Sequence, residues 1–400
     1  MLELEDALAR ILSAIPAPAA ETIPPAQADG RVLADTVRSA VALPPFDNSA
    51  MDGYAVRAAS VRSARADAPV RLRLAGKVAA GHVFGGELEE RACIRAFTGS
   101  PLPRGADAVV MQEDTRVEPG QPEEVLVLDA VQVGENVRLA GEDVNLGAVV
   151  AAAGDMLGPG AVSLLAAAGL TGVRVGRAPV VAVLATGSEL REPGLPLGPG
   201  QIYESNRAGL AALARRAGAR TVVCPLVADV LADTRQAIEG AFRDCDILVS
   251  SGGVSVGEMD FVKRAFEETG GEMQFWKIAI KPGRPFAFGR RGEKLFFGLP
   301  GNPVSAHVTF LLLVRPALLR WQGARDVSLP AHPGVLAEPL VNSGPRRHFM
   351  RVKVERDGTV RSAGAQASHL LASLAGANGL VDVPPHTSLA RGATVPVLWW

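Results

Sequence analysis

Cysteine is scarce: the 400 residues contain three, Cys93, Cys224 and Cys245, an odd number with no CxxC spacing. That excludes a disulfide framework or a thiolate metal site and fits a reducing compartment, so a cytoplasmic location is expected. Net charge is missing too, with 41 basic against 42 acidic side chains. A bulk polyanion binder is thereby excluded, and no nucleic-acid partner is expected. Long apolar runs are lacking. The most apolar stretch, VTFLLLVRPALL from Val308, reads as too short for a bilayer and is interrupted by Arg315 and Pro316. The start, MLELEDALARILSAIP, is acidic and helically periodic, unlike a signal peptide, and no membrane association is expected. Lysine supplies only six of the 41 basic residues, and three of them, Lys263, Lys277 and Lys281, fall within nineteen positions. The two tyrosines, Tyr54 and Tyr203, both sit in segments rich in polar turn residues.

Abundant glycine (43) and proline (29) predict many turns. Between 178 and 325 the apolar runs PVVAVLAT, TVVCPLVAD and DILVSSGG alternate with helical patterns. This predicts a three-layer α/β domain with a mostly parallel sheet. Residues 46–144 show short alternating runs between turn residues, which predicts a β-rich module. Helical signals on both sides, 1–45 and 145–177, suggest that this module is inserted into a small, discontinuous N-terminal domain. Residues 326–400 read as a β barrel or sandwich, with a hairpin turning at Asp357-Gly358.

In an open α/β sheet, ligands bind beyond the carboxyl ends of the strands. The residues expected there are Thr186-Gly187-Ser188-Glu189, Asp229, and Ser251-Gly252-Gly253 with Ser255 and Gly257. Glycine lets backbone N–H groups approach an anion and hydroxyls add donors, so the paired loops suit a phosphorylated or nucleotide ligand. Glu189, Asp229 and Asp260 are carboxylates that this topology could bring to one crevice edge, a hard-oxygen set fitting Mg²⁺. Asp260 is equally placed to cap a helix. Lys277 and Lys281, four apart in an apparently extended FWKIAIK segment, should share a face, and Arg284 follows in the next turn. Together they suggest a site for a tetrahedral oxyanion or a diphosphate. Pro300-Gly301-Asn302 ends another strand and starts a helix at Pro303, with free N–H groups at its positive end. In the β-rich module, PPFDNSAMDGYAV, FTGSPLPRGADAVV and RLAGEDVNLG bring Asp52, Thr98 and Asp143 into polar loops.

Taken together, PPFDNSAMDGYAV, FTGSPLPRGADAVV, RLAGEDV, VLATGSEL, GQIYESNR, SSGGVSVGEMDFVK, KIAIKPGRPFAFG, GLPGNPVSAHVTF, PRRHFMR and QASHLLASLAGANGL resemble, in order and over almost the whole chain, the MoeA family of molybdenum cofactor biosynthesis proteins, related to the Cnx1 and gephyrin E domains. The resemblance implies a four-domain homodimer with a MogA-like α/β domain and a C-terminal β barrel, its cleft completed by the β module of the other subunit. It implies that adenylylated molybdopterin and molybdate react with release of AMP, assisted by Mg²⁺ or Zn²⁺. A MogA-type adenylyltransferase would act upstream, and molybdoenzymes or carrier proteins downstream. By motif position, Glu189, Asp229 and Asp260 would hold the metal. The glycine loops would hold nucleotide and pterin phosphate, while Lys277, Lys281, Arg346 and Ser368 would hold molybdate. Asp52, Thr98 and Asp143 fall in the functional loops of the first two domains. The sequence departs from the family pattern at Ser188, His348 and Ala367, and Arg347 is an alternative to Arg346. The α/β domain alone would also suit an adenylyltransferase or a CinA-like pyrophosphatase, and a scaffold role is a further alternative. The full set of flanking domains argues against the first two. The retained acids and lysines argue against the third.

Overall fold

A computed structural model describes residues 1–253 and 261–400. Its α/β domain is built on a six-stranded sheet ordered Arg220–Val223, Val180–Ala185, Ile247–Ser251, Lys294–Leu299, Ala287–Arg291, Glu272–Trp276. The first four strands are parallel, and Ala287–Arg291 runs antiparallel to both its neighbours, Lys294–Leu299 and Glu272–Trp276. Side chains alternate between two cores, as a period of two requires. Val181, Val183, Ile247 and Val249 face helices Asn206–Arg216 and Pro303–Thr309. Ala182, Leu184, Leu248 and Phe296 face Leu231–Asp244 and Phe261–Glu268. Covered on both sides, these strands have to be continuous apolar runs.

The chain winds from Val180–Ala185 to Arg220–Val223 on one side, then crosses to Ile247–Ser251 on the other. Beyond the carboxyl ends of the two strands that flank this reversal lies the crevice that such sheets use for ligands.

The helix expected to start at Pro303 forms and carries the apolar run after Val308. Helical turns continue from Pro303 to Trp321, with a wide turn at Phe310–Val314 ahead of Pro316. That turn accommodates a proline, which has no N–H to give. By length and composition this helix could cross a membrane; it is instead mostly buried in the α/β core, which accounts for its apolarity. The acidic N-terminal helix Leu4–Ser13 buries Leu4, Ala7 and Ile11 in the same core.

The flanks of the β-rich module pair with each other, Ala20–Ile23 with Val173–Gly176 and Val37–Arg38 with Val149–Ala151. Between them the module forms its own six-stranded sheet with separate cores around Val56, Leu72 and Val110, and around Ala55, Ile94 and Val109. In the C-terminal region Arg347–Val354, Thr359–Ser362, Ala331–Leu336, Thr394–Trp399 and Gly379–Val383 close into a five-stranded barrel. The expected hairpin turns at Gly358, whose φ of 81° suits a residue without a Cβ.

One ion pair staples the α/β domain to the preceding segment. Arg177 donates to both Asp246 oxygens at 2.9 and 2.8 Å, and the Val180 N–H donates at 2.8 Å. Burial raises the Asp246 pKa, but these donors outweigh it and leave it below the ordinary value. With the folded pKa below the unfolded one, about 3.9, Asp246 contributes its full stabilisation above that pH and loses it as pH falls toward the lowered value. Thermal melts across this acid range should therefore show a shallower loss of stability for Asp246→Asn than for wild type. Equal slopes would mean the pair contributes nothing.

Candidate active site

The crevice is a cleft of about 650 Å³ in which the loops after three parallel strands meet. The Thr186 N–H donates to Ser251 O, and the Gly252 N–H to Leu299 O, so the three strand ends are mutually fixed. Gly252 and Gly253 take φ of 88° and 64°, and a Cβ on Gly252 would lie 2.5 Å from the Thr186 carbonyl oxygen. Only glycine permits this approach. Thr186 is 5% exposed, and among the described residues its Oγ1 has no hydrogen-bond partner, a buried donor at the cleft wall.

Thr186, Gly187, Ser251, Gly252, Gly253, Pro300, Gly301 and Asn302, expected from sequence, all line this cleft. Sequence reading passed over Asn206. At the first turn of helix Asn206–Arg216, its Nδ2 donates to Ser251 Oγ (2.8 Å) and Gly301 O (2.7 Å), joining two of the loops. Its signal was an amide directly after the Ser205 start of the helix, in ESNR. The same tetrapeptide supplies a buried ion pair: Arg207 Nε donates to Glu204 Oε2 at 2.9 Å, and its Nη2 to Glu192 at 2.7 Å.

Glu189 and Asp229 line the cleft, whereas Ser188 does not. The Ser188 N–H and hydroxyl are used on Asp229, donating to its carboxylate at 3.2 Å and accepting its N–H at 3.1 Å. Asp260, Ser255 and Gly257 lie outside the described residues. Among the described residues no group of three acidic, histidine or cysteine side chains is close enough to hold an ion. Two carboxylates on one cleft are nonetheless the hard-oxygen type of donor that suits Mg²⁺.

A second cleft of about 590 Å³ adjoins the first, sharing Pro285, Pro300, Asn302 and His369. It contains Lys281, Arg284, Arg346 and Ser368. Asn302 Nδ2 donates to Ser368 Oγ at 3.0 Å, linking the two spaces. Burial and the nearby Arg284 charge both lower the Arg346 pKa. Arg347 is committed elsewhere, to Asp382 and Glu5, so Arg346 is the arginine left to face the cleft. Burial, reinforced by Lys281, Arg351 and Arg346, pushes His348 down to about 4, so its imidazole is neutral near pH 7.

Lys277 corrects the sequence reading. The Glu272–Trp276 strand ends immediately before it, and its φ of 80° turns the chain out of the α/β sheet. Ile280–Lys281 then pairs in parallel with barrel strand Arg347–Val354. The lysines are therefore not on one continuous strand. Lys281 enters the second cleft, while Lys277 lines neither.

Arg351 was missed because an arginine between Met350 and Val352 reads as an ordinary strand position. It is fully buried, and its Nη2 donates to Ala365 O and Ala367 O at 2.8 and 3.2 Å, fastening the loop that carries Ser368.

In the β-rich module, Asp52 Oδ1 accepts from the Thr98 N–H (2.8 Å) and hydroxyl (2.7 Å), which hold its carboxyl below the ordinary range. Asp47 accepts from the Ala140 N–H at 2.7 Å, and the Asp143 N–H donates to Leu43 O at 3.0 Å, so the three polar loops converge. Asp52, Thr98 and Asp143 line neither cleft of their own chain.

Fold and site thus define a multidomain α/β and β protein in which a glycine-loop cleft adjoins a cation-lined one. Family models match over residues 2–169 (MoeA N-terminal region, domains I and II), 182–320 (probable molybdopterin binding domain) and 333–400 (MoeA C-terminal region, domain IV). A molybdopterin molybdenumtransferase of Haemophilus influenzae is 37% identical over 99% of this chain and 98% of its own. Molybdopterin molybdenumtransferase 2 of Mycobacterium tuberculosis is 40% identical over 94% of each. The crystal structure of the MoeA molybdopterin biosynthesis protein from Pyrococcus horikoshii OT3 superimposes with a TM-score of 0.85 at 30% identity, covering 100% of both chains. The chain belongs to the MoeA family, the molybdopterin molybdenumtransferases, enzymes of molybdenum cofactor biosynthesis.

Proposed function

We propose that this chain inserts molybdenum from molybdate into adenylylated molybdopterin and releases AMP. The observation that carries the reading is the junction of the two clefts at Asn302 and Ser368, which lets a phosphorylated ligand and a tetrahedral dianion lie side by side. The glycine loops and Thr186 would hold the phosphates through N–H and hydroxyl donors. Lys281, Arg346 and Ser368 would hold molybdate, charged donors being the stronger partners of an oxyanion. The two pterin thiols bond to molybdenum, and their protons leave with one molybdate oxygen as water. A second water cleaves the phosphoanhydride, giving AMP and the pterin phosphate. Glu189 and Asp229, with Asp260, would hold Mg²⁺ or Zn²⁺, which when bound neutralises phosphate charge. Arg351 keeps the Ser368 loop in place, and neutral His348 leaves the neighbouring cations without a competing carboxylate.

Asp52, Thr98 and Asp143 would act across a homodimer, closing the cleft of the partner. Their pre-formed loops on a module with its own core support this. The three free cysteines support a cytoplasmic location, with a MogA-type adenylyltransferase as supplier and molybdoenzymes or their carriers as recipients.

The test mixes purified protein with adenylylated molybdopterin, molybdate and Mg²⁺, then follows AMP release and activation of a molybdoenzyme apoprotein. Molybdate-dependent release with activation is expected; its absence would overturn the proposal.

A further inference from the structure

The lining of the glycine-loop cleft includes exposed apolar side chains. Ile202 and Tyr203 are 55% and 46% exposed, and Leu371, contributed by the barrel region, is 42% exposed; all three line the cleft. Single exposed apolar residues are commonplace, but grouped ones lining a cavity mark a surface that a ligand covers. The other tyrosine, Tyr54, is buried in its module.

The backbone around Tyr203 is unusually well fixed for so exposed a residue. Ile202–Tyr203 pairs in parallel with Leu190–Arg191. The Ile202 N–H donates to Glu189 O, and the Glu204 N–H to Arg191 O, both at 2.9 Å, one on either side of Tyr203. Glu204 is in turn locked by buried Arg207, which it meets through both the Arg207 N–H (2.8 Å) and Nε (2.9 Å). An exposed ring on an immobilised backbone is a preorganised contact surface, because little order remains to be imposed on binding.

We infer that Tyr203, with Leu371 from the barrel, forms a stacking subsite for the planar fused-ring heterocycle of a phosphorylated ligand whose phosphate occupies the glycine loops. This rests on the substrate reading above and adds the residue that recognises the ring. A purine and a pterin share the required chemistry, a flat π face with a phosphate attached. The purine belongs to the adenylyl end, the pterin to the other.

Titration calorimetry without molybdate, using AMP and 6-hydroxymethylpterin phosphate as separate probes, tests it. Tyr203→Ala should weaken binding of one probe about tenfold, as loss of a ring stacked on a base does, whereas Tyr203→Phe should keep wild-type affinity. Leu371→Ala should weaken the same probe by a smaller factor. Loss confined to AMP assigns the purine, and loss confined to the pterin assigns the other ring. Unchanged binding of both probes by Tyr203→Ala, or no binding of either by wild type, would overturn the subsite. Molybdate-dependent AMP release by wild type is scored separately. Turnover alongside unchanged binding by Tyr203→Ala would sink the subsite and leave the transferase reading intact, and ring-dependent binding without turnover would do the reverse.

Discussion

Lys281→Ala should raise the molybdate concentration needed for half-maximal AMP release by up to about 100-fold, the scale of losing a hydrogen bond to a charged group, while AMP affinity changes little. The asymmetry follows from geometry. Lys281 lines the cationic cleft and is absent from the lining of the glycine-loop cleft. Arg284 and Arg346 stay in place, so the site loses one of three cations and should still retain some oxyanion affinity. Lys281→Arg should restore part of the effect, since charge is kept and shape is not. A variant that binds AMP poorly but saturates normally with molybdate would show that the two anion pockets have been exchanged. Lys277→Ala is the informative comparison: as Lys277 lines neither cleft, the same assay should show a much smaller change.

Gly252→Ala should lower turnover by roughly 100-fold, the penalty expected when reacting groups are misplaced by about 1 Å, with the fold retained. An added Cβ would sit 2.5 Å from the Thr186 carbonyl oxygen, a backbone atom that cannot swing aside as the end of a flexible side chain would. The φ of 88° adds strain for any residue with a Cβ. Relief requires the ends of Val180–Ala185 and Ile247–Ser251 to separate, and those ends carry Thr186, Gly187 and Gly253. The circular dichroism spectrum should stay native and the melting temperature should fall modestly, because the sheet cores below the loop are untouched. Wild-type turnover would show that these loops tolerate displacement and do not position the ligand.

How much was legible in sequence depended on whether a pattern was local. The parallel strands were readable because burial on both faces forces β-branched continuity, as in VVAVLA, and the glycine loops because phosphate-binding turns need residues without a Cβ. The barrel hairpin announced itself through Asp357-Gly358. The long helix from Pro303 was readable from its start signal, whereas its passage through Pro316 was not, since proline normally breaks a helix and the wide turn at Phe310–Val314 makes it fit. The Lys277–Lys281 spacing misled for a similar reason. Period-two reasoning assumes one strand, and a single left-handed residue moved Lys281 from the α/β sheet to the barrel. Asn206 and Arg351 escaped notice because their roles are bonds to distant loops, 45 or more positions away for Asn206, which no local pattern encodes.

By itself the sequence determined the α/β layering, the strand-end loops and the family, because periodicity, turn chemistry and ordered motifs are all properties of neighbouring residues. Only tertiary structure decided which arginine faces the second cleft. Arg346 and Arg347 are adjacent and chemically identical; Arg346, just ahead of the barrel strand that begins at Arg347, lines the cleft with Lys281, while Arg347 pairs with Asp382 and Glu5. Tertiary structure likewise joined the two clefts at Asn302 and Ser368, residues 66 positions apart whose contact exists only once barrel and α/β domain have packed.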